Sequence, residues 1–340
     1  TLLTRRMPRK AVLLALMGLY TVGNVACALA PDYTTLMIAR VVTSLTHGTF
    51  FGVGAVVATG LVPAERRASA ISIMFSGLTL ATLLGMPAGA WLALHLGWRS
   101  TFWAMSVVGV VSLAVIALLV PRSRDTSEPA PLREELATIA RPQVLLGLLM
   151  TMLGFAGVFV VITYVQPLLT TLAGFSEAAV SPILLVFGGG MVVGNLLGGR
   201  LADRRATPAL LGTLFALAAV LALMSSVLPS RALMTPFVGL LGIAAFATVS
   251  PLQLRVLGFA EGAGQNLASS FNIAAFNLGN AAGAWLGGTV IEHGPGLAAI
   301  TWVASLVTVT GLLVALWSVR LERRDARADA LPRACAPEAA

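Results

Sequence analysis

Charged side chains are scarce in this sequence. Only 11% of its 340 residues are Asp, Glu, Lys or Arg, against about 25% in an ordinary soluble domain. The residues AVILMFWYC make up 57%, and mean hydropathy is +0.90. Even a large soluble fold leaves about a quarter of its chain surface in water, so it cannot hide this much apolar surface. The scarcity of charge excludes a soluble enzyme, a nucleic-acid-binding domain and a disordered regulator. It indicates an integral membrane protein, with the lipid bilayer as its first partner.

Cysteine and histidine are also rare. The two cysteines lie far apart, Cys27 in an apolar run and Cys335 in a polar tail, which excludes a disulfide framework. The three histidines, His47, His95 and His293, are widely separated, and no long apolar run contains an Asp or Glu. A membrane enzyme needs clustered His, Asp, Glu or Cys. We therefore predict no enzyme activity, no metal and no cofactor.

Long uncharged runs fill the rest of the chain. A helix needs about 20 apolar residues to cross a bilayer core of about 30 Å. Ten runs are long enough, and they are numbered here as spans 1 to 10: 11–31, 41–64, 68–98, 100–121, 142–176, 178–199, 206–230, 232–254, 262–291 and 293–319. Strands of a barrel would alternate polar and apolar residues, whereas these runs are apolar on every face. The sequence predicts an all-α membrane protein with ten transmembrane helices.

The basic residues are distributed unevenly over the connections. If the N-terminus is cytoplasmic, 19 of the 22 Lys and Arg residues fall on the cytoplasmic side, as the positive-inside rule requires. Only Arg99 and Arg231 fall on the outer side. Arg40 lies within the helix of span 2, which must begin near Thr34, because the run 41–64 is continuous with residues 36–39 across this one arginine. The net charge of +8 is therefore explained by membrane topology and not by nucleic-acid binding. Both ends of the chain are predicted to be cytoplasmic.

An internal repeat links the two ends of the sequence. Residues 85–92 and 279–286 match at six of eight positions, at a spacing of 194 residues. Spans 1–4 then correspond to spans 7–10, and spans 5 and 6 lack counterparts. We expect a parent fold of twelve helices in two bundles, of which this chain, beginning at Thr1, lacks the first two. The predicted parts are an N-terminal bundle over 1–120, a cytoplasmic linker over 121–143, a six-helix bundle over 144–319 and a cytoplasmic tail over 320–340.

Several motifs resemble those of the major facilitator superfamily, in its efflux branch of drug:proton antiporters and arabinose or sugar efflux permeases. Residues 199–204, Gly-Arg-Leu-Ala-Asp-Arg, resemble the family's inner-loop motif. Residues 85–89, Gly-Met-Pro-Ala-Gly, lie where its antiporter motif belongs, and Arg40 lies where its fourth-helix arginine motif belongs. Residues 97–99, Gly-Trp-Arg, resemble the efflux branch's outer turn.

This resemblance implies a secondary transporter in the bacterial inner membrane. It would export a sugar, a nucleoside or a drug-like solute by alternating access, in exchange for protons, and act as a monomer. The antiporter-like motif contributes Gly85, Pro87 and Gly89. Loss of two helices leaves a different possibility open: a transport-inactive fragment, or a membrane sensor or scaffold that does not transport.

Span 2 carries the most informative polar stripe. Arg40, Thr43, Ser44 and His47 recur at i, i+3, i+4 and i+7 and so share one helical face. Because a charge within the bilayer is costly, this face should line a wet cavity on the substrate or proton pathway. Two alternatives stay open. Arg40 could extend towards Asp32 at the membrane surface, and His47 could be an ordinary hydrogen-bonded packing residue.

Side-chain amides at membrane depth are further candidates for the pathway. We select Asn24, Gln166, Asn272 and Asn277, because amides can bind hydroxyl-bearing solutes. They can equally bond one helix to another.

A gate is expected on the cytoplasmic side, formed by Gly199, Asp203, Arg204 and Arg255. Asp203 lies at the inner end of span 6, where its carboxylate could hold the positive N-terminus of span 3. Arg255, within the same half, is the competing partner, and Asp203 could also be an ordinary solvated acid of the loop.

Overall fold

The computed structural model describes residues 7–121, 131–260, 262 and 264–330. These residues form helices and connections, with no strand among them. The helices are α1 (Arg9–Leu29), α2 (Tyr33–Gly60), α3 (Arg67–Leu80), α4 (Met86–Leu96), α5 (Trp98–Leu119), α6 (Leu132–Ile139), α7 (Pro142–Ile162), α8 (Val165–Pro167), α9 (Glu177–Arg204), α10 (Ala206–Val227), α11 (Arg231–Ala247), α12 (Val249–Phe259), α13 (Gln265–His293) and α14 (Ile300–Ala330). The predicted all-α class is confirmed.

The ten predicted spans correspond to helical segments of the structure. Nine segments within the described residues are long and apolar enough to cross a membrane. Span 9 corresponds to α13, whose 29 residues measure about 44 Å at 1.5 Å per residue. Asparagines and serines lower its hydropathy, and it packs against α7 inside the second bundle.

Three spans are interrupted by a change of helix geometry. A π-helical turn (Ala81–Gly85) separates α3 from α4, and a second one (Leu168–Leu172) follows α8. Thr248 separates α11 from α12. Pro87 lies in the first turn of α4, where its missing N–H costs no hydrogen bond. Such interruptions allow the two ends of one span to pack against different neighbours.

The helices pack into two bundles that meet along two seams. In the first bundle α1 packs against α2 and α5; in the second, α7 packs against α13 and α14, and α9 against α11. The bundles touch where α2 meets α13 and where α3 meets α9 and α12. The second bundle has the larger core, with Leu210, Leu214 and Leu217 of α10 fully buried. Residues 122–130 of the predicted linker and 331–340 of the predicted tail lie outside the described residues, and α14 extends past position 319 to Ala330.

Contacts between helix ends define two faces of the molecule. Lys10, at the start of α1, donates to the Ala117 carbonyl at the end of α5. Arg99, at the start of α5, donates to the Ala30 carbonyl just after α1. We call the first face, which also carries Arg204 and Arg255, the basic face, and the second the opposite face.

Three glycines of α9 allow it to lie directly on the backbone of α11. A Cβ at Gly194 would lie 2.7 Å from the carbonyl carbon of Ile243, and one at Gly198 would lie 2.8 Å from that of Ala247. Gly190 approaches Gly239 in the same way. Small residues of this kind drive close helix packing in membranes.

Gly194→Ala is expected to lower the free energy of unfolding by about 1–3 kcal/mol, the usual cost of overpacking. The added methyl group meets backbone, which cannot rotate away. The matched control is Gly189→Ala, on the same helix, where a Cβ meets no atom within 4 Å. Thermal unfolding of the purified protein in detergent measures both, and equal midpoints for the two variants would contradict this packing.

Candidate functional site

A cavity of about 770 Å³ opens among the helices of the first bundle and reaches the second bundle at a single residue. It is lined by residues of α1, α2, α3 and α5, by Ala81 of the π-helical turn, and by one residue of α13. The lining includes Arg40, Thr43, Ser44 and His47 of the predicted stripe, together with Asn277 from the second bundle. The α2 stripe therefore faces a cavity, and five of the eight predicted pathway residues meet there.

Arg40 lies exposed in this cavity. Its guanidinium carbon is 5.9 Å from the ring centroid of Phe102, within cation–π range. Asp32 instead accepts a hydrogen bond of 2.8 Å from the backbone N–H of Thr35 and so caps α2. That bond holds the pKa of the Asp32 carboxyl below its usual value. The structure therefore favours the cavity over Asp32 as the location of the Arg40 charge.

The two hydroxyl groups of the stripe are turned towards their own helix. Thr43 donates to the Arg40 carbonyl at 2.8 Å, and Ser44 donates to the Val41 carbonyl at 2.7 Å. Thr43 is buried, and its methyl group occupies the space that a Cβ at Gly23 would need. Thr43 therefore fixes the crossing of α1 and α2, whereas Ser44 is exposed to the cavity.

His47 lies at the aromatic end of the cavity. Its ring centroid is 5.0 Å from that of Phe51, and Phe51 stacks on Phe75 at 5.4 Å. The imidazole is exposed and has no hydrogen-bond partner among the described residues. The aromatic lining formed by Tyr20, Phe50 and Phe51 was not predicted from the sequence. The sequence does contain a signal for this lining, because Phe50 and Phe51 follow His47 at i+3 and i+4, on the same face of the helix.

The predicted amides separate into two groups. Asn277 lines the cavity and donates to the Ile273 carbonyl at 2.8 Å. Asn24 is buried and donates to the Tyr20 carbonyl, and Gln166 is exposed but does not line the cavity. Asn272 is also buried outside the cavity lining.

Asn272 belongs to a chain of hydrogen bonds that joins the bundles. It donates to Gln253 Oε1 at 2.6 Å, and Gln253 Nε2 donates to Ser269 Oγ at 2.7 Å. Ser269 Oγ in turn donates to the Gly52 carbonyl at 2.8 Å. Because Gly52 is on α2 and the others are on α12 and α13, this network closes one of the two seams between the bundles.

The second seam is closed by α9 against α3, near the basic face. The two carboxylate oxygens of Asp203 accept from the backbone N–H groups of Ala68 and Ser69, at 2.8 and 3.1 Å. These are the free N–H groups of the first turn of α3, where an anion is favoured. Asp203 thus makes the contact predicted for it. A Cβ at Gly199 would lie 2.6 Å from Ser72 Cβ, so only glycine allows this approach.

Arg255 and Arg204 do not join this contact. Arg255 lies within the second bundle, 2.7 Å from Glu322 Oε2 and 2.9 Å from Ser318 Oγ, with its guanidinium over the Phe259 ring. The competing partnership between Arg255 and Asp203 is therefore not formed. Arg204 is exposed at the end of α9.

The antiporter-like motif coincides with the break in its span. Gly85 ends the π-helical turn, Pro87 is the second residue of α4, and Gly89 faces Thr101 of α5, whose methyl group would be 3.3 Å from an added Cβ. In the part of the chain that the structure describes, no group of three His, Cys, Asp or Glu side chains could hold a metal ion.

Two packed helical bundles with a polar cavity among their helices are the layout of secondary membrane transporters. A family model described as Major Facilitator Superfamily matches residues 1–268. The chain therefore belongs to the major facilitator superfamily and is a membrane transporter. The predicted family resemblance is confirmed.

Its relatives are transporters as well. The inner membrane transport protein YdhP of Escherichia coli (strain K12) is 41% identical over 94% of this chain and 82% of its own length. A chloramphenicol resistance protein of Streptomyces lividans is 34% identical over 92% of this chain and 80% of its own length. The crystal structure of the transporter FucP in the outward conformation matches with a TM-score of 0.80, covering 93% of this chain and 84% of that one. At 12% identity this last match supports the fold alone.

Proposed function

We propose that this protein exports a small organic solute by alternating access, with the solute bound in the cavity that the α2 stripe and Asn277 line. The observation that carries the proposal is the combination of that cavity with two closed seams. The cavity lies in the first bundle and reaches the second at Asn277. The contacts of Asp203 with Ala68 and of Ser269 with Gly52 cross from one bundle to the other, and we infer that they hold the cavity closed towards the basic face. Rocking of the bundles would break these contacts and expose the cavity to the basic face.

The distribution of the arginines supports an orientation of the protein in the membrane. With the basic face in the cytoplasm, both chain ends are cytoplasmic, and the closed seams seal the cavity from the cytoplasm. The structure then corresponds to an outward-facing state. The name of YdhP, an inner membrane transport protein, supports placement in a bacterial inner membrane. We propose that the protein acts there as a monomer.

The chemistry of the cavity suggests the class of solute. A guanidinium, an imidazole, a hydroxyl and an amide supply hydrogen bonds, and the aromatic rings supply a flat apolar surface. Such a lining suits a hydroxyl-bearing or aromatic solute without a positive charge, for which we propose a sugar, a nucleoside or a chloramphenicol-like drug. The relative named for chloramphenicol resistance supports export of the last of these.

Proton exchange is proposed to involve His47, whose imidazole is exposed in the cavity and titrates near neutral pH in its reference state. A proton on His47 and a bound solute would then compete for the same cavity. Such competition is required if the protein exchanges protons for solute. Among the described residues, no Asp or Glu lines this cavity.

The test is transport by proteoliposomes that contain the purified protein, offered labelled sugars, nucleosides and chloramphenicol in turn. Counterflow, which requires only solute exchange, should be saturable for one class. Arg40→Gln should raise the half-saturation concentration about tenfold, because a lost charge-assisted hydrogen bond costs at least about 1.5 kcal/mol.

His47→Gln should keep counterflow and lose the accumulation that a pH gradient drives. Arg327→Gln, an exposed change on α14 far from the cavity, is the control and should alter neither. Absence of counterflow for every solute class would count against the proposed function. Gradient-driven accumulation that survives in His47→Gln would count against His47 as the proton site.

A further inference from the structure

A second cavity opens on the side of the second bundle, away from the transport pathway. It has a volume of about 570 Å³ and lies between α9, α10 and α11. Arg204 and Arg205 line its end at the basic face, and Val220 lines its far end. We call this cavity the lateral groove.

The groove exists because α10 presents small side chains where larger ones would close it. Pro208, Gly212 and Ala216 recur every four residues along its floor. A Cβ at Gly212 would meet no atom within 4 Å, so the space beside it is open. Leu197 and Leu201 of α9 form one apolar wall.

The groove has polar groups at one end. In its described lining, Thr213 is the one hydroxyl residue, and its Oγ1 already donates to the Ala209 and Leu210 carbonyls at 2.8 and 3.2 Å. Arg204 and Arg205, by contrast, are exposed and have no side-chain partner among the described residues. The groove therefore offers two uncompensated positive charges above an apolar trough.

We propose that the lateral groove binds an anionic phospholipid, with the phosphate between Arg204 and Arg205 and one acyl chain along Gly212 and Ala216. Twelve residues separate Pro208 from Val220, which is about 18 Å of helix. Half of a hydrocarbon core of about 30 Å is similar in length, so one acyl chain fits the trough. Basic pockets between transmembrane helices on the cytoplasmic side are typical sites for anionic headgroups.

Comparison with Arg255 shows that the arginines at this end of the groove differ in having no acidic partner within the described part of the chain. Arg255 lies near the same face, but its charge is compensated by Glu322 at 2.7 Å. Arg204 and Arg205 follow Asp203 directly, and the carboxylate of Asp203 is used by the α3 amides. Charge complementarity therefore favours an anionic lipid over a zwitterionic one.

The experiment is native mass spectrometry of the whole purified protein in neutral detergent, titrated with phosphatidylglycerol or phosphatidylcholine. Phosphatidylglycerol should bind more tightly, by roughly 30-fold if each arginine contributes as basic residues do near a membrane surface. The double variant Arg204→Gln/Arg205→Gln should remove this preference. Its control is Arg324→Gln/Arg327→Gln, which removes the same charge from exposed positions of α14.

The apolar part of the groove is tested separately. Gly212→Leu should fill the trough and weaken phosphatidylglycerol binding at least tenfold, whereas Gly18→Leu on α1, also at a position without neighbours within 4 Å, should not. Glycerophosphoglycerol, which has the headgroup without acyl chains, should fail to compete.

Three results would overturn the proposal: equal binding of the two lipids, unchanged binding in either groove variant, or full competition by the free headgroup. A dimer that dissociates in Gly212→Leu would also overturn it, by showing that a second copy of the chain fills the groove.

Discussion

Gly52→Leu is expected to abolish transport while leaving the protein folded. Gly52 lies on α2 at the seam with α13, and a Cβ there would lie 2.7 Å from Ser270 Cα and 2.8 Å from Ser270 N. Backbone cannot move aside as a side chain can, so the added group forces the bundles apart. Overpacking of about 3 kcal/mol would shift the equilibrium between closed and open seams by roughly 100-fold.

The effect should appear as altered access to the cavity. Ser44, exposed in the lining, is replaced by cysteine in a Cys335→Ser background, since Cys27 is fully buried. A membrane-impermeant maleimide should then label Ser44→Cys from the opposite face in the parent, and from the basic face once Gly52→Leu is added.

The control for this variant lies on the same helix. At Gly60 a Cβ meets no atom within 4 Å, so Gly60→Leu should leave both labelling and transport close to those of the parent. Loss of transport without a change in labelling would show that Gly52→Leu acts other than by opening the seam.

Asp203→Ala is expected to produce the second large effect, also by weakening the closed state. The variant removes two hydrogen bonds from a carboxylate to the α3 amides. Hydrogen bonds to charged groups contribute about 1.5–3 kcal/mol, and the helix N-terminus adds about 0.3–1 kcal/mol. Both contributions exist only while α3 and α9 are in contact, so their loss favours the state open at the basic face. Labelling of Ser44→Cys from that face should increase by roughly tenfold or more.

The variant Glu322→Gln tests whether the Asp203 contact acts as a gate or only stabilises the fold. Glu322 also forms a charged contact near the basic face, but its partner Arg255 lies in the same bundle. Removing that contact should lower the thermal midpoint without changing which face admits the maleimide. If Asp203→Ala and Glu322→Gln changed labelling equally, the gating role of Asp203 would be refuted.

The α2 stripe illustrates what could be predicted from sequence. Arg40, Ser44 and His47 share a face because the helical period alone requires it. Since burying the Arg40 charge in lipid is costly, that face was predicted to line a cavity. The structure agrees for these three side chains. Thr43 has the same spacing, but it packs into the space beside Gly23, which depends on how closely α1 and α2 cross.

The side-chain amides of α13 could not be assigned to the cavity from the sequence alone. Asn272 and Asn277 are five residues apart on α13, and both were predicted to line the cavity. Only Asn277 lines it, while Asn272 bonds to Gln253 at 2.6 Å. A rotation of α13 about its own axis would exchange these roles. That rotation is decided by the close approach of Gly279 and Gly283 to the backbone of α7.

The sequence by itself determined the membrane class, the ten spans, the family and the helical face that carries Arg40 and His47. The family followed from the resemblance of sequence motifs. Hydropathy, charge placement and helical period determine the other features, and all three are properties of one segment or of its order in the chain. Only the tertiary structure decided that Asp203 binds the α3 amides while Arg255 binds Glu322, and that Gly52 lies against Ser270. Those pairs are 67 to 218 positions apart, and their distances follow from how closely whole helices pack.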